Sequence, residues 1–156
     1  MNYGEEINFE QMLITDNLNR EGFIFIDRQV TDSRIRKRLD LLGLKQAEGN
    51  QYKFVVAEVK LGNNKELKND VALQLKGYVS HIQENFKDYK KCYETQFEQK
   101  QELGLFEELK FDEIEIINPV EGLVVVGGYS GLAKQQIKIL KKSHPDIEVI
   151  HFTHEI

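Results

Sequence analysis

The chain has 156 residues, of which 40% are hydrophobic and 30% charged, and its formal net charge is −5. These values are typical of a single soluble domain with a real core. A bilayer-spanning helix is not expected, because no apolar run in the sequence approaches the roughly 20 residues that such a helix needs. The negative charge argues against a general nucleic-acid coat protein. The single cysteine, Cys92, cannot form an internal disulfide, and the first residues lack the features of a secretory signal. We therefore expect a cytoplasmic protein.

The first predicted element is a helix over residues 5–19. Ile7 and Ile14 lie on one side of this helix, and Leu13 lies on the other. Glu10 falls between them, so its carboxylate has apolar neighbours. Glu10 either belongs to a functional site or simply reaches solvent, and the residues that follow favour the first interpretation.

Three short strands are predicted next. The first runs from residue 23 to about residue 30, the second contains Asp40, and the third contains Glu58. Residues 31–33 and 48–50 have the composition of turns. Strands joined by short polar connections most simply form an antiparallel meander.

Charged residues interrupt two of these strands on faces that are otherwise apolar. Side chains alternate across a strand, so Glu58 and Lys60 share one face, and Asp40 lies on the corresponding face of its own strand. The apolar residues on these faces are Phe54 and Val56 beside Glu58, and Leu42 and Leu44 beside Asp40. If the strands are neighbours, the three charged groups converge, and burying them is costly unless they are paired or bind a metal.

A basic cluster immediately precedes Asp40. It contains Arg34, Arg36, Lys37 and Arg38. Such a cluster could meet phosphates at the mouth of a site. A solvated loop is an equally good interpretation of this feature alone.

A second helix is predicted to begin near Asn69 or Asp70, either of which can cap it. Gln74 and Tyr78 lie along one flank of its apolar stripe, four residues apart. They could face a site that the helix covers, or they could be ordinary polar residues at the edge of a helix. The apolar stripe itself consists of Val71, Leu75, Val79 and Ile82.

Aromatic residues continue at helical spacing to about Gly104 and are interpreted as core; they are Phe86, Tyr89, Tyr93 and Phe97. An irregular acidic stretch follows and is predicted to end at Pro119. Residues 123–126 have the continuous apolar character of a central strand. The turn 127–131 then leads into a basic helix, and a last strand is predicted from residue 148 to 152. We favour a tight connection at this turn over a phosphate site, because its glycine spacing matches neither the dinucleotide-binding nor the P-loop fingerprint.

This order of elements resembles that of the restriction-endonuclease-like superfamily, the PD-(D/E)XK nucleases. The resemblance covers residues 10–126 and depends on Asp40, the Glu58-Val59-Lys60 tripeptide and Gln74-x-x-x-Tyr78. It implies an α/β fold of the α+β mixed-sheet kind. The expected core is αβββαβ, extended by a C-terminal helix and strand, within a single domain over residues 1–156.

The resemblance also implies roles for individual residues. Asp40 and Glu58 look like metal ligands, and Lys60 looks like the residue that orients or activates the attacking water. Glu10 looks like the upstream acidic residue of the first helix, and Gln74 like a residue beside the active site, accompanied by Tyr78. The residue before Asp40 is Leu39 and not proline, a departure that many branches of the superfamily share.

The chemistry of these residue types supports the same site. Mg²⁺ prefers oxygen ligands and usually keeps several waters, so two carboxylates and a backbone carbonyl such as that of Val59 would suffice. A bound Mg²⁺ or Mn²⁺ can hold a phosphate and lower the pKa of a water molecule. Lys60 can neutralise the phosphate and donate to the nucleophile.

The leading hypothesis is therefore a metal-dependent nuclease that acts on DNA, with no membrane partner. Small nuclease domains often need a second copy or a fused module, so a homodimer or larger assembly is a further expectation. Three alternatives stay open: a buried ion-pair cluster that sets strand register, a catalytically silent module that binds nucleic acid or a protein, and a nucleotide-binding domain built on the glycine turn. The residues expected to contact nucleic acid are Arg34, Arg36, Arg38 and Tyr78.

Overall fold

Five strands form one mixed sheet in the computed structural model, which describes residues 22–30, 39–62, 64, 67, 69–104, 111–128 and 131–152. The strands are β1 (Phe23–Val30), β2 (Leu39–Glu48), β3 (Gln51–Leu61), β4 (Glu115–Gly127) and β5 (Glu148–Phe152). Three helices accompany them in the described ranges, namely α1 (Asp70–Glu84), α2 (Phe86–Glu102) and α3 (Gly131–Ser143).

The strands lie side by side in sequence order. β1, β2 and β3 pair antiparallel, which confirms the predicted meander. β3, β4 and β5 pair parallel, so helical crossovers connect them, as parallel strands require. The expected α/β class with a mixed sheet is confirmed at this level.

All three described helices contribute to one apolar cluster on one side of the sheet, which we call the helix face. From the sheet this cluster takes alternate residues of β2, β3 and β4, including Leu42, Phe54 and Val124. The predicted stripe of α1 packs here, with Val71, Leu75 and Ile82 buried and Val79 partly buried. The aromatic stripe of α2 also lies in this core, where Phe54 meets the rings of Phe86, Tyr89 and Tyr93 edge-on. The opposite side of the sheet carries a second buried cluster.

Three local expectations are wrong in detail. Pro119 does not end a segment, because β4 runs through it from Glu115 to Gly127. Proline is tolerated there since the pairing with β3 shifts register between Lys53 and Val55. The helical stretch after Asp70 is two helices, separated at Asn85.

The third correction concerns the start of α1. Asn69 is the N-cap residue, as expected, but its side chain makes no capping hydrogen bond. Its Oδ1 instead lies 2.9 Å from Nε2 of His144, just after α3. The side chain therefore joins two helices and does not close one. None of the described helices combines the length and apolar character that crossing a bilayer requires.

Candidate functional site

The sheet opens between β2 and β3 at the position of the predicted site. β2 remains paired with β1 up to its first residue, and β3 remains paired with β4 up to its last. Between β2 and β3, however, the pairing ends at Leu41 opposite Ala57. The next residue on each strand is a carboxylic acid, Asp40 on β2 and Glu58 on β3. We call this opening the fork.

Asp40 occupies the fork with its side chain. Its Oδ2 atom accepts a hydrogen bond of 2.9 Å from the backbone N–H of Val59. The Asp40 carboxylate thus takes the place of a backbone acceptor from β2 at this position. In an antiparallel sheet, the backbone N–H and C=O groups of one residue point to the same side of its strand. The N–H of Val59 points towards β2. The carbonyl of Val59 is therefore directed into the fork as well.

Glu58 lies on the helix face and is almost completely buried, with 3% of its surface exposed. Its Oε1 atom is buried and receives no hydrogen bond from the described part of the chain. Burial, with the neighbouring negative charge of Asp40, raises the pKa of Glu58 to about 9, although Lys60 acts in the opposite direction. An acceptor buried without a donor is costly for a folded protein, which suggests that this oxygen has a ligand.

Lys60 brings the positive charge of the site. It follows Glu58 by two residues, so both side chains leave β3 on the same face. Only 8% of Lys60 is exposed. Its positive charge acts to lower the pKa of Glu58, against the effect of burial.

Tyr78 reaches the same place from α1. Its side chain is buried, and its pKa is raised to about 12 by burial first, and then by the charges of Glu58 and Asp40. Gln74 is half-buried on the same helix, one turn before Tyr78. The structure therefore brings together four of the predicted residues, Asp40, Glu58, Lys60 and Tyr78, with Gln74 next to them along α1.

The other predicted residues lie outside the described part of the chain. They are Glu10 of the first predicted helix and the arginines of the basic cluster, Arg34, Arg36 and Arg38. Their expected roles stay predictions.

The donor set at the fork fits a hard divalent cation. It offers two carboxylates and the carbonyl of Val59, and the buried Oε1 of Glu58 lacks a partner in the described residues. Mg²⁺ takes such oxygen ligands and completes its shell with water. Within the described ranges, no three His, Cys, Asp or Glu side chains gather closely enough to hold a metal by themselves. Asp40, Glu58 and the carbonyl of Val59 could hold one together with water.

Sequence reasoning missed the contacts that anchor the end of β3. The amide of Gln136, which is 1% exposed on α3, donates to the carbonyl of Gly62. The N–H of Gly62 donates to the carbonyl of Gly127 at 2.9 Å. A Cβ at Gly62 would overlap that of Ala133, so only glycine lets α3 approach this closely. One signal was present, because Gln136 interrupts the apolar face of α3.

Comparison of the chain with protein-family models, with curated proteins and with solved structures finds no match.

Proposed function

We propose that the protein is a metal-dependent nuclease that hydrolyses phosphodiester bonds in DNA. The observation that carries this proposal is the buried, undonated carboxyl oxygen of Glu58 in a fork that it shares with Asp40 and Lys60. Two carboxylates with an ammonium beside them complement a divalent cation that carries a phosphate.

Each residue of the fork has a task in this reaction. Asp40, Glu58 and the carbonyl of Val59 would hold Mg²⁺ or Mn²⁺, which when bound draws charge from the phosphate and acidifies a water molecule. Lys60 neutralises the phosphate and donates a hydrogen bond to the attacking oxygen. Tyr78 shields the carboxylates from solvent on the side of α1.

The pKa of Glu58 makes cation binding a proton exchange. With a pKa of about 9, this carboxyl group keeps its proton at neutral pH when nothing is bound. A metal ligand must be deprotonated, so binding of the cation releases that proton. A bound cation would supply the positive charge that balances the ionised carboxylate of Glu58.

A purely structural ion-pair cluster explains the same residues less well. Such a cluster repays the cost of burial only when the remaining polar atoms are also satisfied. Here the described residues leave Oε1 of Glu58 without a donor.

The test is a cleavage assay on single-stranded, duplex and branched DNA and on RNA, in Mg²⁺, in Mn²⁺ and in EDTA. We expect metal-dependent cleavage by the natural protein, and a rate lower by about 100-fold or more in the Asp40→Asn and Lys60→Ala variants. Cleavage that persists in both variants would rule out this site. Metal-independent binding of DNA without any cleavage would instead support a catalytically silent module on the same fold.

A further inference from the structure

Helix α3 has an unusual charge for this chain. Its 13 residues include Lys134, Lys138, Lys141 and Lys142 and no aspartate or glutamate, although the chain as a whole has a net charge of −5. All four lysines are exposed. The helix therefore presents a positive surface on an acidic protein.

Three of these lysines form one line along the helix. Lys134, Lys138 and Lys141 are spaced four and three residues apart, which places them within an arc of about 60° over about 10 Å of helix. This basic stripe lies beside the buried face of α3, which consists of Ala133, Gln136 and Leu140. Like charges at this spacing repel each other and do not stabilise the helix.

Two lysines of the stripe form no ion pair with a described carboxylate. Elsewhere in the described chain, lysines lie close to carboxylates: Lys45 approaches Glu121 at 3.1 Å and Lys90 approaches Glu94 at 2.8 Å. No described carboxylate lies within ion-pair distance of Lys138 or Lys141. Their charges are available to a polyanion.

The stripe lies near the fork because of the contacts at Gly62. The buried face of α3 touches Gly62 through Ala133 and Gln136, and Gly62 follows Lys60 by two residues. With a rise of about 3.3 Å per strand residue and a helix about 10 Å wide, the stripe begins roughly 15 Å from Lys60. At a rise of about 3.4 Å per base pair, about five base pairs of a nucleic acid bound at the fork would span that distance.

We propose that the basic stripe of α3, formed by Lys134, Lys138 and Lys141, binds the phosphate backbone of the nucleic acid whose scissile bond occupies the fork. This inference rests on the proposed function and adds the surface that holds the substrate. It also explains how an acidic protein can bind a polyanion, since a local positive surface matters more than the net charge.

Nucleic acid fits the stripe better than an anionic membrane does. A membrane-surface helix buries a wide apolar face in the lipid. The wide apolar face of α3 is occupied by the sheet, with Ala133 and Leu140 fully buried. The most exposed large apolar side chains of α3 are Leu132 and Ile139, at 47% and 46%, and they lie on the flank opposite the stripe.

The experiment measures binding, so it does not depend on cleavage. Fluorescence anisotropy with a labelled 30-base-pair duplex and a 30-nucleotide single strand, in Ca²⁺ to suppress turnover, gives Kd between about 50 and 300 mM NaCl. The test variant is Lys138→Gln/Lys141→Gln. The matched control is Lys87→Gln/Lys91→Gln, which removes the same charge from exposed positions on α2.

We expect the test variant to bind on the order of tenfold more weakly near 150 mM salt. Its log–log salt slope on the duplex should be smaller by about 1.8, because each lost phosphate contact removes about 0.9. The control should match the natural protein. Equal salt slopes in both variants, with the natural protein still cleaving DNA, would overturn the stripe alone. Absence of nucleic-acid binding by the natural protein would overturn the proposed function as well.

Sedimentation with vesicles of phosphatidylcholine and phosphatidylserine tests the alternative that the stripe binds an anionic membrane. We expect no difference between the two double variants there. If the test variant lost vesicle binding while its DNA binding equalled that of the control, the stripe would be a membrane surface and the proposal would be wrong.

Discussion

In two clusters of this protein a tyrosine lies close to carboxyl groups. The clusters differ in whether every buried carboxyl oxygen has a hydrogen-bond donor. In the closed cluster, Tyr93 of α2 donates to Oδ2 of Asp27 at 2.8 Å. The other oxygen, Oδ1, accepts from the backbone N–H of Arg28 at 2.8 Å. In the open cluster at the fork, Tyr78 lies near Glu58 and Asp40, and Oε1 of Glu58 has no donor within the described chain.

This difference separates a structural contact from a candidate site. The closed cluster joins β1 to α2, and burial and the bond to Asp27 raise the pKa of Tyr93, so that the hydroxyl stays a donor. Its hydrogen bonds account for its presence. In the open cluster, a buried carboxyl oxygen without a hydrogen-bond donor lowers the stability of the folded protein. A cation bound to that oxygen would compensate for this loss.

The largest expected effect is on cleavage. Asp40→Asn or Lys60→Ala should lower the rate about 100-fold or more, because each removes a group that stabilises charge at the reacting phosphate. Asp27→Asn, the matched change in the closed cluster, should leave the rate within a few-fold of natural. Single-turnover kinetics with excess protein would measure this. Equal losses in all three variants would erase the distinction between the clusters.

The next effect is on stability. Tyr93→Phe should lower the free energy of unfolding by about 1–2 kcal/mol, because the partly buried Asp27 loses a hydrogen-bond donor. Urea denaturation would measure this change. Cleavage measured well below the unfolding temperature should be unchanged. If Tyr93→Phe abolished cleavage in a folded protein, the closed cluster would belong to the site.

A third effect concerns pH in the absence of metal. The pKa of Glu58 rises from an ordinary value of 4.5 to about 9 in the folded protein. Its contribution to stability is complete below pH 4.5, and it is lost as the pH rises to about 9, because the folded state then holds a proton that the unfolded state has released. In EDTA, the Tm of the natural protein should fall more between pH 6 and pH 8.5 than the Tm of Glu58→Gln. Parallel curves would contradict the raised pKa.

A fourth effect is stabilisation by the cation. At tenfold excess over Kd, Mg²⁺ should add about 1.4 kcal/mol to the stability of the natural protein. The Asp40→Asn variant should gain almost nothing, whereas Asp27→Asn should gain as much as the natural protein. Differential scanning fluorimetry at pH 8 with and without Mg²⁺ would detect the shift. A shift of equal size in Asp40→Asn would place the cation elsewhere.

Local patterns in the sequence were enough for most of the described architecture. Short apolar runs indicated the three meander strands, and helical spacing indicated the stripe of α1 and the aromatic core of α2. They also placed Glu58 and Lys60 on one face of their strand, and Asp40 on the same face as Leu42 and Leu44, because side chains alternate along a strand. The register between the two strands decides that these faces coincide. The course of β4 through Pro119 was missed, since a shift in register depends on the partner strand, which sequence spacing does not report.

The sequence by itself determined which groups carry charge and which face of each strand they occupy, because both follow from residue type and a period of two. Only the tertiary structure decided that β2 and β3 separate beside Asp40, that Oε1 of Glu58 is buried without a donor in the described chain, and that Gly62 brings α3 against the end of β3. Those features depend on distances between residues far apart in the chain, which are set by how the elements pack and not by any local pattern.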